Sequence, residues 1–375
     1  MPAIARFRSA APYMLIYLLV PLLWLGATRG GLWVLLPPVY AWYMFTALDA
    51  LLGLSEDNPD PDTPDAALWW YRLGVAGWVP VQAVTLFGLI AYATRADHLG
   101  GWELAGLFFG MGVASGTVGM VYAHELMHQK PAWERWLGDI LLGMVCYGHF
   151  RSEHLLVHHR YVGTPRDAVS ARYNEGFHRF FFRVLPESFL SAIRAERQMQ
   201  ARRSGGGRFA NPFWRYGVLT VISALLVILL GGWLGLALFL FQSIVAIWQL
   251  ELTNYVEHYG LTREHLGEGR YEHVKPRHSW NAAHTATNWL LINLQRHSDH
   301  HYKPDRRFPL LQTYDEADAP QLPYGYPLMT MAAMVPPVWR RVMNPRVRAW
   351  RRQYYPQITD WSAYKAGTTP LPKGS

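Results

Sequence analysis

Nine of the sixteen histidines in this chain are gathered in four short clusters. Neutral imidazole is the commonest side-chain metal ligand and suits zinc, copper, iron and nickel. Four protein ligands saturate a structural zinc ion, so nine are too many for one ion and about right for two. The clustering therefore predicts a dinuclear, histidine-rich metal centre. The nine residues are His124, His128, His154, His158, His159, His258, His297, His300 and His301.

The number of ligands also indicates the chemistry. Two redox metals suit the activation of O₂, in which two electrons must be delivered together, whereas zinc hydrolysis needs one metal with an open position. Imidazole ligands with open positions favour non-haem iron over calcium or magnesium. The nine clustered histidines differ from the mixed set of Glu and Glu-x-x-His ligands that soluble di-iron oxygenases carry on a four-helix bundle. We therefore expect two iron ions with few or no carboxylate bridges, and a longer separation between them.

The spacing of the first two clusters predicts how they sit on helices. His124 and His128 are four residues apart, which places both rings on one face. His154 and His158 share a face in the same way, while His159 is turned by about 100° from that face. One helix can therefore serve two metals here, or one metal with a distorted turn.

The third cluster and the single histidine extend the same pattern. His297, His300 and His301 follow i, i+3, i+4 spacing, so all three can lie on one face. A lone histidine is more often structural, but His258 ends a predicted span beside the other clusters and is a candidate ligand too. Acidic neighbours can orient a ligating ring by accepting its second N–H. The candidates for this role are Glu125, Glu153, Glu257 and Asp299.

The other histidines are expected to be structural or to contact the ligands rather than the metals. Of these, His149 and His284 each lie near a cluster, and His98 falls on the opposite side of the predicted membrane. The full set is His98, His149, His178, His265, His273, His278 and His284.

Uncharged blocks of membrane length run through the chain. Residues 9–28, 30–48, 73–94, 104–123 and 216–250 contain no charged residue. One span needs about 20 apolar residues, so the last block predicts a helical hairpin with Gly231-Gly232 at its turn. Buried helices of a soluble core would not require five such blocks. We predict one all-α, membrane-embedded catalytic domain over 1–375, with six transmembrane helices at about 10–28, 30–53, 73–94, 103–124, 216–231 and 233–254.

Basic residues set the predicted orientation. All lysines and arginines except Arg29 and Arg95 fall on one side of this topology. The positive-inside rule then places both termini in the cytoplasm, together with the segments 125–215 and 255–375 that carry the histidine clusters. The net charge of +8 fits this orientation and attraction to anionic lipid, and predicts no nucleic-acid partner. With Cys146 as the only cysteine, the chain predicts neither a disulfide nor an iron–sulfur cluster of its own.

The clusters resemble the three histidine boxes of the integral-membrane fatty acid desaturase and hydroxylase superfamily. These boxes read His124-Glu-Leu-Met-His128, Glu153-His154-Leu-Leu-Val-His158-His159 and Leu294-Gln-Arg-His297-Ser-Asp-His300-His301. The segment Asn254-Tyr-Val-Glu-His258-Tyr-Gly-Leu261 resembles the extra box of the alkane 1-monooxygenase branch. Xylene monooxygenases typically carry Gln where this chain has Glu257. Gln129 and Val157 replace the usual Lys and Gly, which bears on substrate range and leaves the ligand positions intact.

This resemblance implies terminal hydroxylation of medium-chain n-alkanes to 1-alcohols with O₂ and electrons from rubredoxin and its reductase. It also implies that all nine histidines hold the two irons, in an enzyme of the bacterial inner membrane. The alkane would come from the lipid through a channel among the spans. The basic segments 194–208 and 340–352 suit docking of an acidic electron carrier. The residues that we expect to line the channel are Trp42, Tyr43, Phe45, Trp78 and Phe108.

Three other functions compete with this interpretation. A desaturase or another membrane di-iron hydroxylase, acting on fatty acyl or aromatic methyl substrates, would share the metal site. The sequence His-Glu-x-x-His is also the signature of zinc proteases, but that function leaves most clustered histidines unused. A metal transporter would need ionisable groups within the spans, which here are nearly free of charge.

Overall fold

The protein is described by a computed structural model over residues 3–202 and 211–361, and within these ranges it is built from helices without a β-strand. Part of the basic segment 194–208 lies outside the described residues. The helices, in our numbering, are α1 (Arg6–Arg29), α2 (Gly31–Leu52), α3 (Asp65–Ala93), α4 (Gly101–His128), α5 (Ala132–Gly143), α6 (150–161), α7 (Phe177–Arg202), α8 (Phe213–His258), α9 (Thr285–Leu290), α10 (His297–Tyr302), α11 (Tyr326–Ala333) and α12 (Pro336–Tyr354).

Five of these helices (α1, α2, α3, α4 and α8) are long and apolar enough to cross a membrane. Together with the absence of strands from the described ranges, they confirm the predicted all-α membrane fold. Helix α8 is interrupted at Gly232, whose φ of 61° is left-handed and whose ψ of −151° is non-helical. Glycine fits this conformation because it lacks a Cβ.

The interruption makes α8 a hairpin with arms 213–231 and 233–258. Tyr216, in the first arm, lies 2.9 Å from the Ser152 hydroxyl, and Glu251, in the second, accepts a 2.8 Å hydrogen bond from Tyr147. In a straight helix these two positions would be roughly 50 Å apart. The predicted turn at Gly231-Gly232 therefore has a structural basis, while the count of six membrane crossings stays a prediction.

The helices define two ends of the bundle. At one end, the Tyr13 hydroxyl donates to Asn293 in the loop before the last histidine cluster, at 3.1 Å. At the other end, the Gly31 amide donates to Glu103 at 2.8 Å, and Arg95 reaches the Leu230 carbonyl at 2.6 Å. All four histidine clusters lie at the first end, as the predicted topology requires.

Small residues let α4 and the second arm of α8 approach closely. A Cβ on Gly112 would lie 2.5 Å from the Val245 Cβ and 2.8 Å from the Gln242 carbonyl oxygen. A Cβ on Gly116 would meet Gln249 at 2.7 Å. Close backbone contact between helices is how membrane bundles gain packing energy. This contact fixes α4 against α8, and both helices end in the histidine region.

Two buried arginines hold the polar end of the bundle together. Arg307 bonds Glu134 of α5 at 2.9 Å and Asp65 of α3 at 2.9 Å. Arg296 donates to the carbonyls of Leu311, at 2.6 Å, and Ser55, at 3.1 Å. A buried charge is tolerated only when it is paired in this way. These contacts tie the loops between helices to the segment that carries His297.

We predict that substitution of Gly112 by Ala destabilises the protein, because the added methyl group has no room between α4 and α8. Overpacking of this kind costs about 1–3 kcal/mol. Gly217 is the matched control, since it lies in α8 with no atom within 4 Å of its would-be Cβ. There, Ala should be neutral or stabilising by up to about 1 kcal/mol. Thermal unfolding of detergent-solubilised protein measures both, and an equal effect at the two positions would contradict the close contact.

Candidate metal centre

Helix α4 carries the first two histidines. The predicted span stopped at residue 124, but the helix continues to His128 and so keeps both rings on one face, with centroids 5.1 Å apart. A π-helical turn at Ser115–Met120 precedes them. Such turns adjust the rotation of a helix and are frequent at functional sites.

Five imidazoles form the first group. Ring nitrogens of His124, His128, His154 and His300 all lie within 4.8 Å of one another. His159 joins them, because its Nε2 is 2.9 Å from Nε2 of His154 and 3.1 Å from Nε2 of His300. Three helices, α4, α6 and α10, therefore contribute to this group.

Four imidazoles form the second group, and they are His158, His258, His297 and His301. Nε2 of His297 is 3.1 Å from Nε2 of both His258 and His301. The two groups adjoin, since the rings of His159 and His301 are 4.7 Å apart between centroids. His258, which the sequence left open, thus lies within the cluster.

A π-helical turn decides how α6 divides its histidines. Residues His154–His158 are π-helical, and the His159 amide donates to the His154 carbonyl, five residues earlier. The wider turn aligns His154 with His159 and rotates His158 into the second group. The expectation that His154 and His158 share a face is therefore wrong, because it assumed an α-helical period, while the expectation that one helix serves two groups holds.

Helix α10 also divides its histidines between the groups. His297 and His301, four residues apart, lie together in the second group, whereas His300 points to the first. The three rings therefore do not share one target, although their spacing allowed it. This arrangement places α10 between the groups and links them.

The spacing of the nitrogens fits metal ions. At a metal–nitrogen distance of about 2.1 Å, ligand nitrogens at right angles lie about 3.0 Å apart, and those at the tetrahedral angle about 3.4 Å. The neighbouring Nε2 pairs described above lie 2.9–3.1 Å apart. These neighbouring nitrogens are close enough for the imidazoles of each group to bind a shared ion. Among the described residues, neither group includes a carboxylate.

Burial keeps the rings in the form that binds metal. It lowers the pKa of His154, His159, His297, His300 and His301 well below the usual value, and the neighbouring imidazoles lower it further. The rings are therefore neutral near pH 7, with a lone pair available to a metal.

Asp167 orients one ligand and was missed by the sequence analysis. Its Oδ2 lies 3.0 Å from Nδ1 of the buried His158 and also accepts from the Ser170 hydroxyl at 2.7 Å. Burial opposes ionisation of Asp167, but His158 and Ser170 hold its pKa below the usual value. The carboxylate therefore accepts Nδ1–H and leaves Nε2 of His158 free for a metal. Asp167 lies in a loop, where no regular spacing of residues in the sequence indicates its role.

The four acidic candidates differ in position. The Glu257 Oε1 lies 3.3 Å from Nδ1 of His297. Glu153 is buried beside its cluster, and burial, with the charges of Asp167 and Glu251, raises its pKa well above the usual value.

Glu125 and Asp299 point away from the rings. Glu125 accepts from Gln129 at 2.9 Å and from the Phe308 amide at 3.4 Å. Asp299 accepts from Tyr314 at 2.9 Å and from the Gln312 amide at 3.0 Å. Both carboxylates hold the loop that follows α10.

A cavity opens onto both groups. Its walls include imidazoles from the first group, His124 and His154, and from the second, His297. Most of the remaining wall is apolar, and the polar side chains are concentrated on the second arm of α8. The apolar lining is Trp42, Val121, Phe150, Leu250, Leu290, Leu291, Leu294 and Pro327.

Of the five predicted channel residues, Trp42 lines this cavity. Phe45, Trp78 and Phe108 are fully buried in the packing between helices and are not among its lining residues, while the Tyr43 side chain is 56% exposed on the outside of α2.

The seven histidines that we set aside lie outside both groups. His149 packs against Tyr147, with ring centroids 4.3 Å apart, and His278 bonds the Tyr355 hydroxyl at 2.7 Å.

We predict that Asp167→Asn weakens metal binding about 10–100-fold, because the neutral amide no longer fixes the His158 ring as a carboxylate does. Metal content after dialysis against graded chelator concentrations measures this. Asp62→Asn, in an exposed loop, is the control and should leave the metal content unchanged. Equal retention by the two variants would show that Asp167 does not support the ligand.

Comparison with known proteins agrees with this geometry. The fatty acid desaturase family profile matches residues 99–333, which include all nine clustered histidines. The chain is 38% identical to alkane 1-monooxygenase 2 of Pseudomonas aeruginosa, over 90% of each chain. It is 40% identical to alkane 1-monooxygenase 1 of the same organism, over 81% of this chain and 80% of the relative. It is 38% identical to alkane 1-monooxygenase 2 of Alcanivorax borkumensis, over 83% and 84%. The chain therefore belongs to the alkane 1-monooxygenases, oxidoreductases of the fatty acid desaturase family.

Proposed function

We propose that this protein hydroxylates medium-chain n-alkanes at the terminal carbon to give 1-alcohols. O₂ is the oxidant, rubredoxin with its reductase supplies electrons, and two histidine-bound irons form the reactive centre. The observation that carries this proposal is the apolar cavity that reaches imidazoles of both groups. The names of the relatives, alkane 1-monooxygenases, supply the substrate class and the position of attack.

The two irons, when bound, would supply the activation of O₂. The protein's part is to hold them with neutral imidazoles and to keep the site dry. Phe150, Val121 and Leu294 line the cavity close to the ligands, and each removes water from the space where a methyl group would react. An alkane has no polar group that the protein could bind, so its position is set by the shape of the cavity wall alone. The apolar cavity thus selects hydrocarbon and aims its end at the imidazole groups.

The distribution of basic residues indicates what kind of electron donor binds and on which side of the membrane it binds. Helix α12 packs Trp339, Met343 and Val347 against the protein and exposes Arg340 and Arg348. Such a basic surface suits a small acidic donor such as rubredoxin. Since basic residues mark the cytoplasmic side, we place the histidine end of the bundle, both termini and the donor in the bacterial cytoplasm, with the spans in the inner membrane.

The first test of this function is product analysis. Protein reconstituted with rubredoxin, its reductase, O₂ and n-octane should give 1-octanol by gas chromatography, and metal analysis should give two irons per chain. His297→Ala should abolish the product, because it removes a ligand that also lines the cavity. His178→Ala, an exposed histidine outside both groups, is the control and should keep full activity.

Iron-loaded protein that yields no alcohol from n-octane would contradict the proposed substrate. The same cavity would then be tested with aromatic methyl and fatty acyl substrates. A protein that loads zinc in preference to iron would instead contradict the proposed cofactor.

A second test concerns chain length. We predict that Trp42→Ala shifts the preference from n-octane toward n-dodecane, because removal of the indole lengthens the cavity. Each methylene in an apolar pocket changes the rate by about tenfold or more, so the ratio of products should shift at least that much.

Tyr43→Ala is the matched control for this test. The two aromatic residues are adjacent in α2, but Tyr43 faces outward and should leave the ratio unchanged. A shift with Tyr43→Ala and none with Trp42→Ala would show that the alkane takes another path.

A further inference from the structure

Helix α7 has an exposed apolar stripe that its membrane-length neighbours do not cover. One side of α7 buries Phe177, Phe180 and Val184 against the protein. On the opposite side, Phe182 is 74% exposed and Leu190 is 50% exposed. With 100° between successive residues, Phe182 and Phe189 fall within about 20° of each other on the outward face. A stripe of this kind facing water would be unfavourable.

This stripe is continuous with the lipid-facing side of α8. The ring of Phe189 lies 6.0 Å from the ring of Phe213, at the start of the first arm of α8. Trp214 follows and is exposed, and from there exposed apolar residues continue up the arm at helical spacing. These residues are Val218, Val221, Ile222, Leu225 and Leu229. The exposed Phe189 is therefore at the level where this arm begins.

Aromatic and basic residues mark the same level as a membrane boundary. Trp133 and Trp136 of α5 are exposed, and Arg215 stacks on the Trp136 ring at 4.7 Å. Tryptophan is enriched where spans meet the headgroups. On α7 itself the exposed Arg197 follows Leu190 by seven residues on the same face, and the exposed Arg194 lies to one side of it.

We propose that α7 is an interfacial helix that binds anionic lipid on the histidine side of the membrane. Phe182, Phe189 and Leu190 enter the boundary between headgroups and acyl chains, while Arg194 and Arg197 face lipid phosphates. A helix that lies in the interface in this way has an apolar face and a basic polar flank, and it need not be long or apolar enough to span. The segment 125–215, which we predicted to be cytoplasmic, then lies partly in the membrane interface.

Binding of α7 at the membrane interface would support the metal centre. The Ser152 hydroxyl of α6 donates to Glu196 of α7 at 2.6 Å, and Ser188 lies 3.5 Å from the Tyr147 hydroxyl just before α6. Helix α6 carries three of the nine histidines. Helix α6 therefore packs against α7, and in this proposal α7 is bound to the lipid surface.

Spin labels on the full-length protein in lipid vesicles test this. Cys146, the only cysteine, is replaced by Ala, and single cysteines are introduced by Phe182→Cys and Leu190→Cys. Leu225→Cys, in the first arm of α8, gives the value within the bilayer, and Leu266→Cys, 56% exposed in a loop, gives the aqueous value. The ratio of accessibility to oxygen over that to a water-soluble nickel complex reports the depth of each label.

We expect both α7 labels to shift from the aqueous value of residue 266 toward the bilayer value of residue 225. Vesicles that contain equal parts of phosphatidylglycerol and phosphatidylcholine should give a larger shift than phosphatidylcholine alone. Combined Arg194→Gln and Arg197→Gln should remove that lipid dependence, while Arg270→Gln, an exposed loop arginine, should keep it. Aqueous values at both 182 and 190 would overturn the proposal. Membrane depth without any response to phosphatidylglycerol would overturn the anionic-lipid site.

Discussion

The structure depends on nine imidazoles, seven of them buried and two half-buried, whose nitrogens converge in two groups. By itself this arrangement is unfavourable, because a buried polar atom without a partner costs about 1–3 kcal/mol. Nε2 of His158 is such an atom, since Asp167 already accepts the proton on Nδ1. Metal ions would remove this cost by using the lone pairs, and their binding would then contribute directly to folding. The neighbouring helices must then hold the ligands together before the metals arrive.

The backbone brings the histidine rings together in different ways on α6 and α10. On α6 a π-helical turn widens the period, so His154 and His159 meet while His158 turns to the other group. On α10 an ordinary turn separates His300 from His297 and His301. Two short helices thus each serve both groups, and a rigid-body movement of either would disturb both groups of imidazoles. The ion pairs of the buried Arg307 resist such movement, because they fasten the loop after α10 to Asp65 at the start of α3 and to the buried Glu134 of α5.

The sequence predicted the ligands better than their surroundings. The i, i+4 spacing and the order of uncharged blocks indicated all nine histidines, the helical fold and the turn at Gly232, since these depend on local periodicity. The grouping of His154 with His159 could not be predicted, because a π-helical turn leaves no mark in the spacing of side chains. Asp167 lies in a loop, where contacts depend on tertiary packing. Among the aromatic residues, Trp42 faces the cavity and Tyr43 faces outward, and only the rotation of α2 distinguishes these neighbours.

Substrate and metal are coupled through the two helices that carry both. Helix α4 lines the cavity with Thr117 and Val121 and continues to His124, and α8 lines it with Leu250 and Asn254 before His258. A shift of either helix along its axis would therefore move the cavity wall and a ligand together. The close contact at Gly112 limits such shifts, because the backbones there leave no space for a Cβ. A hydrocarbon that has no polar group to bind can be positioned only against walls that do not move, and this contact explains how a membrane bundle provides them.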